Sequence, residues 1–156
     1  MERQEIITKL KKYFSIDELV CKHTFSKWGE RAWQFLDTDI LETILVVRRD
    51  ILQCGMVCND YKFGGSHTQR GLRCNLCELV QDKTRSNENY LSAHCNGRGF
   101  DFVFNAKNMT AAHARDLIKS HASMLPYPVR IEKGKSWLHI DCFDSGNGQK
   151  VTEFNG

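Results

Sequence analysis

Two short stretches of the chain hold histidine and aspartate residues at spacings that could bind a metal ion. In the first, His94 and Asp101 are separated by a segment that contains two glycines. Because glycine allows a tight turn, both side chains can face one point. In the second, residues 137–141 alternate as a strand does, which places His139 on one face. Two imidazoles and one carboxylate suit a catalytic zinc site, whose fourth position stays open to water.

Together these stretches resemble the metal signature of a known peptidase family. The pattern reads Ser92-x-His94-x-x-Gly97-x-Gly99-x-Asp101, followed by Trp137-x-His139-x-Asp141. It is similar to that of the zinc D-Ala-D-Ala carboxypeptidases, which include phage endolysin peptidases that cut L-alanyl-D-glutamate bonds and share their fold with the hedgehog signalling domain. The resemblance covers the C-terminal half of the chain. It implies that zinc is bound by His94, Asp101 and His139.

The resemblance also implies a reaction, the hydrolysis of a peptide bond in the stem peptides of bacterial peptidoglycan. Carboxypeptidase and endopeptidase modes both remain open, and a phage or prophage lytic enzyme is expected. Zinc lowers the pKa of a coordinated water to about 7. A carboxylate must then take a proton from this water and pass it to the leaving amine.

The carboxylate that would act as this base is not fixed by the sequence. Many carboxypeptidase relatives carry an acidic residue three positions before the last histidine, where this chain has Ser136. Glu132, seven positions before His139, resembles a glutamate that hedgehog domains carry nearby, and we prefer it as the base. Asp141 is the other candidate, although it could instead orient a metal-bound histidine. The serine also supports a second hypothesis, a non-catalytic zinc-stabilised module that binds the cell wall or a protein.

An arginine upstream of the first stretch is a candidate for contacting the substrate. The segment Arg70-Gly-Leu-Arg73 is similar to the family's Ser-Gly-Tyr-Arg element, whose arginine reaches the substrate near the metal. By position the match is Arg73, but Arg70 replaces the usual serine, which leaves open which of the two points inward. A guanidinium suits this role because its fixed fork can hold a carboxylate through two hydrogen bonds. The alternative is two surface arginines on a mobile loop.

Cysteines are the other candidate metal ligands. The seven are Cys21, Cys54, Cys58, Cys74, Cys77, Cys95 and Cys142. An odd number without an apparent signal peptide favours reduced thiols over a disulfide framework. The spacing Cys54-x3-Cys58 followed by Cys74-x2-Cys77 resembles a structural zinc site, and a nucleic-acid-binding zinc protein built on it is a third hypothesis. Cys58 lies in an apolar run, where a buried small side chain is the simpler explanation, so Cys74 and Cys77 are the better candidates.

Composition sets the class of protein. A chain of 156 residues predicts one domain, residues 1–156, with a sizeable core. Its 41% hydrophobic and 26% charged residues and net charge of +3 are ordinary, without the basic, aromatic-rich pattern of a nucleic-acid partner. No apolar run has membrane-spanning length, and the first residues start no signal peptide. We expect a monomer made in the cytoplasm that reaches the cell wall after holin-dependent release or as part of a virion.

Apolar residues at helical spacing predict a long helix over residues 37–52. We expect Asp37 or Thr38 to cap it and Gly55 to end it. It is predicted to be the central helix against which a sheet packs.

Shorter helices and several strands complete the prediction. One helix is expected at residues 5–13, and a second begins at a capping box formed by residues 15–18. A third is expected at 111–122, where Asn108 or Thr110 is the cap.

Strands are predicted at residues 56–59, 101–104, 129–132 and 137–141, the last two as a hairpin. The polar run 78–90 predicts a loop, either solvated or forming one wall of a substrate cleft. The sequence therefore predicts an α+β domain with an antiparallel sheet packed against helices, as in the carboxypeptidase and hedgehog fold.

Overall fold

The computed structural model describes all 156 residues and shows an α+β fold with six α-helices and one four-stranded sheet. The helices are α1 Arg3–Leu10, α2 Ile16–Leu19, α3 Lys22–Trp28, α4 Thr38–Val46, α5 Glu78–Arg85 and α6 Ala111–Ser120. Short 3-10 segments lie at Gly29–Phe35, Tyr61–Phe63 and Ala122–Met124. The strands are β1 Gly99–Phe102, β2 Val129–Glu132, β3 Leu138–Asp141 and β4 Val151–Phe154. None of the helices combines the length and apolar character needed to cross a membrane.

The sheet is mixed, with strand order β1-β3-β2-β4. The predicted hairpin of β2 and β3 is confirmed, and β3 also pairs antiparallel with β1. The expectation of a purely antiparallel sheet is wrong, because β4 runs parallel to β2. At the end of β3, Asp141 pairs with Arg130 near the start of β2. The loop after β3 therefore ends near the start of β2, where Val151 pairs with Val129, and β4 runs in the same direction as β2.

The two faces of the sheet differ in polarity, since one packs into the apolar core and the other carries polar side chains. Apolar side chains fill the face that packs into the core, and they are Phe100, Phe102, Ile131, Leu138 and Ile140. Because side chains alternate along a strand, the polar residues of β1, β2 and β3 share the opposite face. Asp101 pairs with His139 across β1 and β3. The strand register therefore brings residues that are far apart in sequence to one surface.

The central helix was predicted correctly in extent, but its last turns are wider and a different residue ends it. Asp37 is its cap, since its side chain accepts a hydrogen bond of 2.9 Å from the Asp39 N–H. The helix continues from α4 through a wider π turn, Val47–Leu52, and stops at Gln53, which is left-handed with φ 52°. A left-handed residue cannot continue a right-handed helix. Gly55 is therefore not the residue that ends it.

Two of the other predicted helices have different bounds, since α1 covers residues 3–10 instead of 5–13 and α6 ends at residue 120 instead of 122. The box at residues 15–18 is confirmed, with the Ser15 N–H donating to the Glu18 carboxylate at 2.9 Å. Thr110 caps α6 by accepting from the His113 N–H. The segment 78–85 is helical, so the prediction of a loop there is wrong. α5 buries no residue, and its only apolar residues are the adjacent Leu79 and Val80, which are too few to form a helical repeat in the sequence.

Two of the predicted strands are shorter or displaced. The segment 56–59 forms a single bridge, Val57 to Val103, and β1 covers residues 99–102 instead of 101–104. β1 therefore contains Asp101, as predicted, but begins two residues earlier, at Gly99.

Candidate metal centre

The three predicted metal ligands converge. His94 lies in the turn before β1, Asp101 on β1 and His139 on β3, and all three are buried. One ligand atom from each lies within 4.8 Å of those of the other two. Asp101 is central: its Oδ1 is 2.7 Å from His139 Nδ1, and its Oδ2 is 3.3 Å from His94 Nε2. Together they form a group that could hold a metal ion.

Glycines shape the turn that positions His94. Gly97 has φ +64°, and a Cβ there would lie 2.2 Å from the carbonyl oxygen of Phe35. That carbonyl belongs to the segment before α4, and the Asp37 N–H donates to the Gly97 oxygen at 2.9 Å. A Cβ on Gly99 would lie 2.9 Å from the Cβ of Ala93. Side chains at either position would push the turn away from the centre.

Hydrogen bonds aim one nitrogen of each imidazole at the centre. His94 Nδ1 is 3.0 Å from the Gly71 carbonyl oxygen. Because a carbonyl can only accept, Nδ1 carries the proton and Nε2 presents its lone pair. His139 Nε2 lies 2.7 Å from Asp141 Oδ2, which leaves Nδ1 facing Asp101. This pattern, with the far nitrogen bound to a carbonyl or carboxylate, is typical of metal-binding histidines.

Electrostatics around the centre favour a negative carboxylate and a protonated His139. Burial alone would raise the pKa of Asp101, but hydrogen bonds and charges from His139 and His94 outweigh it and lower that pKa. Burial alone would lower the pKa of His139, but Asp101 and Asp141 outweigh it and raise the pKa to about 9. Burial lowers the pKa of His94. Without a metal, protonated His139 would donate hydrogen bonds to both Asp101 and Asp141.

We therefore expect zinc affinity at this centre to increase with pH between 7 and 9. Below its pKa of about 9, His139 is protonated in the metal-free protein, and zinc must displace that proton. One displaced proton predicts a gain of roughly tenfold in apparent affinity per pH unit. Competition titration with a metal indicator, with a His94→Ala variant as the blank, measures this slope. An affinity that does not change between pH 7 and 8 would contradict the assignment.

Asp141 is fully buried and supports His139. Its two oxygens accept from Arg130 Nε and Nη2, both at 2.9 Å, and Oδ1 also accepts from the Phe143 N–H at 3.0 Å. Burial by itself would raise the pKa of Asp141, but His139 and Arg130 lower it. With these partners, Asp141 fits an orienting role better than that of a base. The contact of Arg130 with Asp141 was not predicted. The predicted hairpin could have indicated it, because Arg130 on β2 lies opposite Asp141 on β3.

A cleft of about 430 Å³ opens at the centre, and the three candidate ligands line it. Arg73 and Glu132 line it too, whereas Ser136 does not. Glu132 lies 3.4 Å from Lys135 Nζ, and its side chain is 14% exposed. The cleft thus combines a possible cation site with three basic side chains, Arg73, Lys83 and Arg130, and with the carboxylate of Glu132.

The structure shows where each of the two arginines points. Arg73 donates to the Gln69 carbonyl at 2.6 Å and to the Tyr90 hydroxyl at 2.7 Å, and its Nη2 is 3.7 Å from Asp101 Oδ2. The Arg70 guanidinium instead contacts the Cys58 carbonyl and His67. Arg73 is therefore the arginine at the centre.

The predicted four-cysteine set does not form. Cys74 and Cys77 group with Cys21 and His23. Cys58 is fully buried in the core, which confirms the simpler explanation for it. All seven cysteines are free thiols, as expected. Cys21 and His23 were missed because nothing in their local sequence connects them with residues some fifty positions later.

No family model, curated protein or solved structure matches this chain. The support for a function therefore comes from the geometry of its side chains.

Proposed function

We propose that the chain is a zinc-dependent peptidase that hydrolyses peptide bonds in the stem peptides of bacterial peptidoglycan. It would act as a D-Ala-D-Ala carboxypeptidase or as an endolysin-type endopeptidase, encoded by a phage or prophage, with the hedgehog and carboxypeptidase fold. The observation that carries the proposal is the convergence of His94, Asp101 and His139 within 4.8 Å. These are the ligands that the resemblance implies.

The donor set fits zinc. Two imidazole nitrogens and one carboxylate oxygen are ligands that zinc accepts, and three protein ligands are the usual number in a catalytic site. The buried Asp141, which pairs with the half-buried Arg130, fixes the orientation of His139. When bound, the ion would supply Lewis acidity and lower the pKa of a coordinated water.

The side chains of the cleft would carry out the remaining steps. Arg73, held in place by Gln69 and Tyr90, would bind a carboxylate or carbonyl oxygen of the stem peptide. Glu132 would take a proton from the attacking water as a carbon–oxygen bond forms at the scissile carbonyl. It would then give that proton to the nitrogen as the carbon–nitrogen bond breaks.

A second function is favoured by one residue. Ser136 stands where many carboxypeptidase relatives have an acidic residue, and it lies outside the lining of the cleft. If Glu132 does not replace that acid, the chain would be a zinc-stabilised module that binds cell wall or a protein without cutting it.

Incubation with purified peptidoglycan separates the two functions. We expect the zinc-loaded protein to generate new amino termini or free D-alanine, detected by amine labelling and mass spectrometry. A chelator should abolish the products, and added zinc should restore them. Binding to peptidoglycan without any new amine would exclude the peptidase and support the binding module.

A further inference from the structure

We infer that Cys21, His23, Cys74 and Cys77 form a second metal site, a structural zinc centre that anchors α5 and one wall of the cleft. This inference does not depend on the proposed peptidase function. It uses different residues, and it concerns what holds the cleft in shape.

The four side chains meet as a closed ligand set. Their sulfur and nitrogen atoms all lie within 4.8 Å of one another, with Cys77 Sγ 3.9 Å from His23 Nδ1. A tetrahedral zinc with Zn–S distances of about 2.3 Å places its ligand atoms roughly 3.5–3.8 Å apart. Small side-chain movements would therefore complete the site. Three thiolates and one imidazole are a typical set for structural zinc, which leaves no position for water.

The backbone brings the two ligand pairs together. Cys21 follows Val20, which forms a parallel bridge with Leu72. The Cys21 N–H donates to the Leu72 oxygen at 2.9 Å, and the Leu72 N–H donates to the Leu19 oxygen at 2.9 Å. These hydrogen bonds fix the segment before α3 against the segment that leads to Cys74. The pairing is built into the fold and does not depend on the thiols.

The second pair lies in a turn that suits a bound metal. The Cys77 N–H donates to the Cys74 oxygen at 3.1 Å, which closes the turn. The Leu76 N–H is 3.4 Å from Cys74 Sγ, and Thr24 Oγ1 is 3.2 Å from Cys21 Sγ. Donors placed on sulfur stabilise a thiolate and orient it, as the outer partners of metal ligands do.

The location explains why a metal would be useful there. α5 buries none of its residues, so apolar packing contributes little to holding it. Cys77 is the residue immediately before α5, and Lys83 of this helix lines the cleft. Cys74 follows Arg73 directly. A zinc ion at this site would join the start of α5 and the segment that carries Arg73 to the start of α3.

Cobalt substitution and X-ray absorption test the site in a protein that lacks the other centre. In a His94→Ala variant we expect about one zinc ion per chain, with sulfur among its nearest neighbours at roughly 2.3 Å. The cobalt form should show thiolate-to-cobalt charge transfer, which nitrogen and oxygen ligands cannot produce. Adding Cys74→Ser should remove this ion and speed up proteolysis within α5. Cys54 is half-buried and lies outside the cluster, so adding Cys54→Ser should change neither the zinc content nor the rate of proteolysis within α5.

Unmutated protein keeps the test valid if Cys74→Ser does not fold. The X-ray absorption spectrum of its bound zinc should show sulfur ligands, and its cobalt form should show the thiolate-to-cobalt charge-transfer band. Either the absence of sulfur from the spectrum or a Cys21–Cys77 disulfide in reduced, zinc-supplied protein would overturn the inference. A protein with thiol-bound zinc and no peptidase activity would refute the proposed function and leave this site standing.

Discussion

Replacing His94 with alanine is expected to remove zinc from the predicted catalytic centre and to abolish hydrolysis of peptidoglycan. His94 Nε2 is one of three converging ligand atoms, and its Nδ1 is fixed by the Gly71 carbonyl. Loss of an outer partner of a metal ligand already costs roughly 10–100-fold in affinity, so loss of the ligand itself should cost at least about 100-fold. Elemental analysis should show one ion fewer per chain, and amine labelling should show no product above background.

His113→Ala is the matched control for that substitution. His113 is exposed on α6 and belongs to neither group of candidate ligands. We expect it to retain full zinc content and activity. If His94→Ala kept both its zinc content and its activity, the centre assigned to His94, Asp101 and His139 would be wrong.

Replacing Glu132 with glutamine is expected to separate catalysis from metal binding. The amide keeps the size of the side chain but cannot take a proton. Loss of a general base typically lowers kcat by about 10²–10⁴-fold. Zinc content should stay unchanged, because Glu132 is not among the three ligands. Steady-state kinetics on stem peptides, together with elemental analysis of the same samples, checks both expectations.

Glu153→Gln provides the control for the loss of one negative charge. Glu153 is exposed on β4, where it pairs with Lys119, and it does not line the cleft. Its variant should keep the kcat of the unmutated chain. Full activity of Glu132→Gln would exclude Glu132 as the base and leave Asp141 as the remaining candidate, despite its hydrogen bonds to Arg130 and His139.

The ligand set was predictable because its geometry follows from local rules. The alternation of residues along a strand put His139 and Asp141 on one face, and the glycines of the preceding turn allowed His94 to approach Asp101. The hairpin of β2 and β3 also followed from a short glycine-containing loop between two apolar runs.

Features set by contacts between distant segments were not predictable in the same way. The parallel β4 depends on where the chain leaves β3, and the hydrophobic pattern carries no information on strand direction. Cys21 and His23 meet Cys74 and Cys77 through the bridge of Val20 and Leu72. The sequence indicated Cys74 and Cys77 but paired them with the wrong cysteines. Local spacing identifies ligands within a segment, and the tertiary fold selects which segments meet.

Anomalous X-ray scattering at the zinc edge, from crystals grown with added zinc, tests the central claim most directly. We predict a peak at roughly 2.0–2.2 Å from His94 Nε2, His139 Nδ1 and an Asp101 carboxylate oxygen, with an open side towards the cleft. If these three side chains point apart, with no peak between them although zinc is supplied, the claim is contradicted and the peptidase proposal fails with it.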